Sequence, residues 1–296
     1  RGTGIYEKTL TREELPKGER IYLEFRGANS SADVYVNGVR VGNDFLKPGF
    51  THCRKTRYSF TYDVTELLKK AHGDVNVLAA EVGAGWWRDK IVTPNGHKGF
   101  MGNKSAFRGV LEIVYADGTR KLVGTKASAW RSGMCGRIRG SSIFDGEWYD
   151  ERRKEGVNVD FNLLKESEVN DEFKGKIVPT DGAEVVLRRD LTLDMKEAYV
   201  WKGVTGKTTN EFGRVRVLRR YSPGEEMTVK SGETLVVDFA QNAAAVPEFE
   251  FAAKKDIRVV VKPAEMLNDG NGEKSRGNDG PGGSVYRANL RKLAAD

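Results

Sequence analysis

The chain has 296 residues, too many for one ordinary hydrophobic core, so two domains are expected. Its 34 glycines are about 11% of the chain against an ordinary ~7%, which points to a turn-rich fold. Lysine and arginine outnumber aspartate and glutamate 49 to 42, a formal charge of +7. The bases are interleaved with acids, so no compact basic patch for nucleic acid exists, and no apolar run nears the ~18 residues of a membrane helix.

In chain order, the dominant period is two. Ile21–Phe25 reads as a strand, and Asp33 to Val41 alternates apolar and polar residues around Asn37-Gly38. That pair accepts positive φ at both turn positions, so a hairpin is expected there. Tyr58–Tyr62 is another strand. Asp63 to Lys70 fits a short helix, with Asp63 as N-cap and Glu66 reciprocating. Val75–Val82 is a strand, and Val110 to Val123 repeats the hairpin device around Asp117-Gly118. Further strands are expected at 184–193, 214–219, 234–239, 248–251 and 257–261, rich in Val, Leu, Tyr and Phe. Many short strands with little helix define an all-β chain of two antiparallel β-sandwiches. The expected boundaries are a first module over 1–165, a polar linker over 166–181, and a second module over 182–296. Residues 267–283 read as a low-complexity loop.

The usual catalytic signatures are absent: no nucleophile elbow, no HExxH, no phosphate-cradling glycine loop. Asp269 to Glu273 begins like a calcium loop, but Lys274 stands where the turn glycine belongs and Gly280 where the bidentate Glu belongs. Cys53 and Cys135 make no metal spacing and read as two separate buried thiols, unless the fold brings them together. His52, His72 and His97 are scattered among turn residues. Arg1 to Tyr6 contains no signal-peptide core.

Two segments carry chemistry. Gly83-Ala84-Gly85-Trp86-Trp87-Arg88 follows a strand, and indole faces stack on the weakly apolar face of a sugar while an arginine reaches its hydroxyls. The competing reading is that the two tryptophans alternate faces, one in the core and one plugging the rim. Ile143 to Arg152 gathers Asp145, Glu147, Asp150 and Glu151 with Trp148 and Tyr149. Such a cluster suits a hard cation, a sugar or acid–base work; it equally suits a tight turn whose acids pair with Arg137, Arg139, Arg152 and Arg153.

At these residues a resemblance enters. Tyr22 to Gly38 resembles the galactose-binding-like jelly roll found at the front of many glycoside hydrolases. Gly85-Trp86-Trp87-Arg88 is similar to that module's Gly-Trp-Tyr-Arg-Gly element, with Asp89 in place of the final glycine. Ile143-Phe144-Asp145-Gly146-Glu147-Trp148-Tyr149-Asp150-Glu151-Arg152 resembles the marker segment of the N-terminal module of bacterial α-L-rhamnosidases, glycoside hydrolase family 78. Val236 to Asn242 and Pro263 to Gly270 resemble the concanavalin-like module that follows it, with Ala240 and Pro263 as departures.

The resemblance implies a jelly roll followed by an incomplete concanavalin-like sandwich. It also implies an accessory, carbohydrate-binding β-region of an α-L-rhamnosidase, with calcium in some relatives. The family's catalytic carboxylates sit on an α/α barrel, and nothing here matches its acidic motif. The chain is therefore expected to be a fragment truncated before that barrel, inactive alone, with the barrel and a rhamnose-containing glycan as partners. The expected setting is periplasmic or secreted. The carbohydrate site is placed at Trp86, Trp87, Arg88, Asp145, Glu147 and Asp150. Two other readings remain: a scaffold without a ligand, and the sugar-binding domain of a β-galactosidase-like glycosidase.

Overall fold

A computed structural model describes residues 3–11, 20–28, 32–52, 54–69, 75–90, 96–99, 101–142, 144–153, 161–169, 173–202, 216–254 and 256–264. Cys53, His72, Ile143 and residues 265–296, with the low-complexity stretch at 267–283, lie outside the described residues. The chain divides into two compact units, Arg1–Leu187 and Arg188–Ala294.

The first unit is built from strands β1 Gly4–Thr11, β2 Arg20–Ala28, β3 Ala32–Val36, β4 Val39–Arg40, β5 Asp44–Phe45, β6 Thr56–Asp63, β7 Val75–Val82, β8 Phe107–Val114, β9 Arg120–Gly124, β10 Arg131–Gly133, β11 Ile138–Ser142, β12 Gly146–Tyr149, β13 Lys165–Glu166, β14 Lys176–Pro179 and β15 Val185–Val186. One sheet runs β13-β10-β1-β7-β3-β4 and the other β14-β6-β2-β8-β9. Two-stranded pairs β11–β12 and β5–β15 complete it. The ladders are antiparallel except β14, which lies parallel to β6 at a sheet edge.

Alternation makes the core. β3 buries Ala32, Val34 and Val36 and leaves Asp33 and Tyr35 half-buried on the other face. The buried set meets Leu10, Leu78, Ala80 and Val82 of its own sheet and Leu23, Phe25, Leu111 and Ile113 of the opposing one. Each such valine, leucine, isoleucine or phenylalanine side chain contributes about 1.5–3 kcal/mol on burial. This apolar layer holds the two sheets together.

The hairpin at Asn37-Gly38 forms with φ of 51° and 78°, and Val36 pairs with Val39 across it. Asn37 also ties the turn to β7: its Nδ2 donates to Asn76 Oδ1 at 2.8 Å, and its Oδ1 accepts from the Val77 amide at 2.9 Å. The Asp117-Gly118 loop joins β8 to β9, with Gly118 at φ 80° and Asp117 Oδ1 accepting from the Thr119 amide at 2.9 Å.

The short helix α1 spans Thr65–Lys69. Asp63 Oδ1 accepts from the Thr65 amide at 3.0 Å and from its hydroxyl at 2.5 Å, while Glu66 faces Lys69 at 3.9 Å rather than closing a capping box. Those hydrogen bonds hold the Asp63 carboxyl below its ordinary value. A depressed folded-state pKa means the cap stabilises above the unfolded value and fades as pH falls through the folded one. Asp63→Ala is expected to cost about 1 kcal/mol at neutral pH, and less below pH ~4. Urea titrations at both pH values check this.

Several expectations need correction. Residues 166–181 are not a linker: Glu166 pairs with Arg131, and Lys176–Pro179 pairs with Thr56–Ser59. The first unit accordingly runs to Leu187. The strand expected over 184–193 shrinks to β15, because Arg189–Leu191 turns into a 3₁₀ segment.

In the second unit, the strands are β16 Glu197–Lys202, β17 Arg216–Tyr221 and β18 Thr234–Asp238. They form one antiparallel sheet ordered β17-β16-β18, with Tyr199, Trp201 and Val236 as its buried cluster. Arg219 pairs with Glu233 at 2.5 Å and holds that carboxyl down to about 2. Residues 248–251 and 257–261 are not strands: they pair with nothing in a ladder among the described residues, and Phe249, Phe251 and Ile257 stay exposed. Alternation supplies a face, but a strand also needs a neighbour for its backbone groups.

Candidate functional site

The Trp-Trp segment is a single helical turn, α2 Gly85–Arg88, entered at Gly85 with φ 45°. A helical turn splays consecutive side chains by about 100° rather than alternating them across a strand. Trp87 points inward and is 3% exposed. Its indole Nε1 donates to the Lys104 carbonyl at 2.9 Å, and the Arg57 guanidinium lies over the ring at 4.4 Å. Gly102 passes so close that a Cβ there would sit 2.2 Å from the ring. Trp87 is thus a core residue and offers no stacking face, which removes it from the expected carbohydrate site.

Trp86 is half-buried and meets Phe50 edge-on, with ring centroids 5.7 Å apart and planes at 78°. Phe50 is 59% exposed. Arg88, also half-buried, donates to the Ser105 hydroxyl at 2.9 Å.

The acid segment forms the β11–β12 hairpin. Gly146, at φ 85°, supplies the turn, and Ser142 Oγ accepts from the Asp145 amide at 2.9 Å. Asp145 is brought to the aromatic turn: the Lys90 ammonium donates to its Oδ1 at 2.8 Å, and Lys98 lies 3.8 Å from Oδ2. Lys90 and Lys98 themselves face each other across an isolated antiparallel bridge, and the Gly99 amide donates to the Arg88 carbonyl at 3.0 Å. One carboxylate therefore joins the marker hairpin to α2.

Asp150 behaves differently. Arg152 grips it through both nitrogens at 2.8 and 2.9 Å and holds the carboxyl down to about 2. Arg137 donates to the Arg153 carbonyl at 2.7 Å and the Tyr149 hydroxyl at 3.1 Å, and Arg139 to the Met134 carbonyl at 2.6 Å. Glu147 is exposed as a residue, yet local desolvation and the nearby Glu81 charge raise its carboxyl. Burial raises Glu81 too, offset in part by the Thr3 hydroxyl, which donates at 2.6 Å.

These acids do not suit calcium. Asp145 already answers two ammonium groups and Asp150 one guanidinium, and no cluster of three metal-type ligands exists among the described residues. A hard cation needs six to eight oxygens, several of them anionic and uncommitted. Thermal unfolding with and without millimolar calcium is expected to superimpose. An upward shift of several degrees would overturn this.

Sequence reasoning did not find Phe50, Lys90 or Lys98. Phe50 sits 36 positions before Trp86, and Lys90 lies 55 positions before Asp145. No local spacing marks either pair.

A family model described as the α-L-rhamnosidase N-terminal domain matches residues 26–186. An α-L-rhamnosidase of Alteromonas sp. (strain LOR) is 29% identical over 255 residues, covering 85% of this chain and 24% of the relative. One of Streptomyces avermitilis is 28% identical over 264 residues, covering 89% and 21%. The crystal structure of the Streptomyces avermitilis α-L-rhamnosidase complexed with L-rhamnose superposes at a TM-score of 0.55 with 25% identity, over 71% of this chain and 22% of that one. The chain spans about a quarter of the length of the curated relatives it matches. With more than half of its residues under the matching family model, and the marker hairpin inside the matched range, the chain belongs to the α-L-rhamnosidase N-terminal domain family.

Proposed function

We propose that this chain is the accessory β-region of a glycoside hydrolase that releases terminal α-L-rhamnose from glycans, working in the periplasm or outside the cell. In this reading the catalytic carboxylates belong to an α/α barrel of the same parent chain. The family match over 26–186 carries the assignment. The first unit holds glycan weakly where α2 and the β11–β12 hairpin meet: Trp86 gives a stacking face, Arg88 a donor, and Asp145 and Glu147 the acceptors. The Lys90–Asp145 contact at 2.8 Å supports that placement, since it brings both segments to one spot. Asp150, committed to Arg152, shapes the turn and is left out.

Stacking on one indole with a few charge-assisted hydrogen bonds gives a Kd of about millimolar to tens of micromolar, or ~4–7 kcal/mol. Calorimetric titration of L-rhamnose is expected to show such heat, reduced at least fivefold in affinity by Trp86→Ala. Hydrolysis of aryl α-L-rhamnosides is expected to be absent, because cleavage needs two carboxyl groups flanking the glycosidic bond. Asp145, answered by Lys90 and Lys98, is no such acid. Turnover lost on Asp145→Ala or Glu147→Ala would overturn the accessory assignment; no heat with any sugar would leave a scaffold.

A further inference from the structure

On the face of β1 turned away from the main core, Ile5 packs with Leu164 and half-buried Cys135 in a second, smaller apolar cluster. Glu81 pairs across the ladders with Ile5 on one side and Asp33 on the other, so its side chain shares that face. Gly136, just before the β11–β12 hairpin, lies over both. A Cβ there would sit 2.9 Å from Ile5 Cδ1 and 3.3 Å from Glu81 Oε1. Thr3, 4% exposed, stands between Glu81 and the hairpin. Its hydroxyl is 2.6 Å from Glu81 Oε1 and 3.3 Å from the carbonyl of Ile138, where β11 begins. Its amide donates to the same carbonyl at 3.2 Å.

A hydroxyl has one proton to give. While Glu81 is ionised it can only accept, so the Thr3 hydroxyl donates to it and the Ile138 carbonyl keeps the Thr3 amide alone. Once Glu81 is protonated, its own O–H can donate to Thr3 Oγ, which frees the Thr3 proton for Ile138. The groups around Glu81 favour the neutral form. Asp33 on β3 lies beside it, gripped by Arg40 of β4 at 2.6 and 2.8 Å, and Glu147 on β12 feels its charge. Tyr35, next along that face of β3, feels it too. Glu7, two positions beyond Ile5, is a further buried carboxyl, with Arg131 of β10 across the ladder. Arg139, on the covering segment, donates to the Met134 and Gly136 carbonyls at 2.6 and 3.3 Å. Burial pushes the Glu81 carboxyl above its ordinary value, against the Thr3 hydrogen bond and with the Asp33 charge.

We infer that Thr3 is a proton-controlled clasp on the β11–β12 hairpin: protonation of Glu81 turns the Thr3 hydroxyl to the Ile138 carbonyl and fastens the hairpin, and ionisation withdraws it. The sign is fixed by the direction in which Glu81 is displaced. A carboxyl raised in the folded state contributes through its neutral form, so the added hold is present below its ordinary value and lost as pH rises through the higher folded one. The hairpin leads with Asp145, which the Lys90 ammonium meets at 2.8 Å, so the link to α2 inherits the same dependence. The clasp stands whether or not the chain binds glycan.

The test is hydrogen–deuterium exchange of the 296-residue chain at pH ~5 and ~8, on either side of a raised carboxyl, read as protection relative to free-peptide rates. Wild-type amides of β11 and β12 are expected to be about fivefold better protected at the lower pH, the worth of one hydrogen bond. Glu81→Gln, whose amide can donate to Thr3 Oγ at every pH, is expected to hold the acidic level throughout. Thr3→Val keeps the shape without the hydroxyl and is expected to give the lower level at both. Glu147→Gln is expected to retain the dependence. Amides of β2 and β8 report that the sandwich itself is intact. Wild-type protection that does not change with pH overturns the clasp, as does a dependence that survives in Glu81→Gln or vanishes in Glu147→Gln.

Discussion

Trp87→Ala is expected to destabilise the first unit by about 3–5 kcal/mol, whereas Trp86→Ala next to it costs under ~1 kcal/mol. The difference comes from one helical turn. Trp87 is 3% exposed, hydrogen-bonded through its indole to the Lys104 carbonyl, and faced by the Arg57 guanidinium, which also lies 4.0 Å over the Phe173 ring. Removing the indole therefore opens a cavity and strips a donor from a backbone carbonyl. The converse test adds atoms. Gly102→Ala places a Cβ 2.2 Å from the same ring, so ring or backbone must move; overpacking of this kind costs about 1–3 kcal/mol. Urea unfolding of the four proteins reads both effects. If Trp87→Ala were no less stable than Trp86→Ala, the ring would not be seated as described, and its role as a sugar platform would return.

What the sequence made legible, and what it hid, follows from locality. The β3–β4 hairpin is written in two adjacent residues, because Asn37-Gly38 alone satisfies the positive φ angles. β7 is legible at both ends, Val75 and Val82, because its eight residues are apolar enough to show the sheet's demand. The marker segment named the family with almost no structural reasoning. By contrast, β14 pairs parallel to β6 across more than a hundred residues, and its four residues sit in polar surroundings that read as a linker. The 248–251 and 257–261 stretches show the opposite failure: the pattern is present and the ladder is not.

The candidate site divides the same way. Trp86, Arg88, Asp145 and Glu147 were visible as residue types in suggestive clusters. Their roles were only partly so: the sequence offered Arg152 as a partner for the acids, and Asp150 takes it, but Asp145 is defined by Lys90 and Lys98, which no local pattern marked. Adjacent tryptophans could be told apart only once the backbone was known to turn helically at Gly85. Composition alone suggested acids paired with arginine; Asp145 instead takes lysines, and that choice links two segments the sequence keeps apart.

The second large effect comes from a buried ion pair, Asp44 with Lys47 at 2.9 Å, each side chain 3% exposed. Asp44→Ala is expected to cost about 3–5 kcal/mol, since it leaves the Lys47 ammonium buried without its counter-charge. Among the described residues, the Tyr62 hydroxyl, the Val41 carbonyl and the Tyr62 and Phe25 ring faces remain for it, the rings at 4.4 and 5.8 Å. The double variant Asp44→Ala with Lys47→Met removes both charges and is expected to be the more stable of the two, within ~2 kcal/mol of wild type. The pH dependence has a definite sign. Burial alone would raise the Asp44 carboxyl, but hydrogen bonds from Tyr62 and Lys47 and the Lys47 charge outweigh it, holding it below its ordinary 3.8. Its contribution is therefore present above that value and lost as pH falls through the lower folded one. Wild-type stability is expected to drop as pH falls below ~4, and the double variant to lose that part of the slope. Urea unfolding across this range measures both. Equal stability of Asp44→Ala and the double variant would mean that water or another group already answers the Lys47 charge, and that the loop bearing Leu46 and Phe50 is not held by this pair.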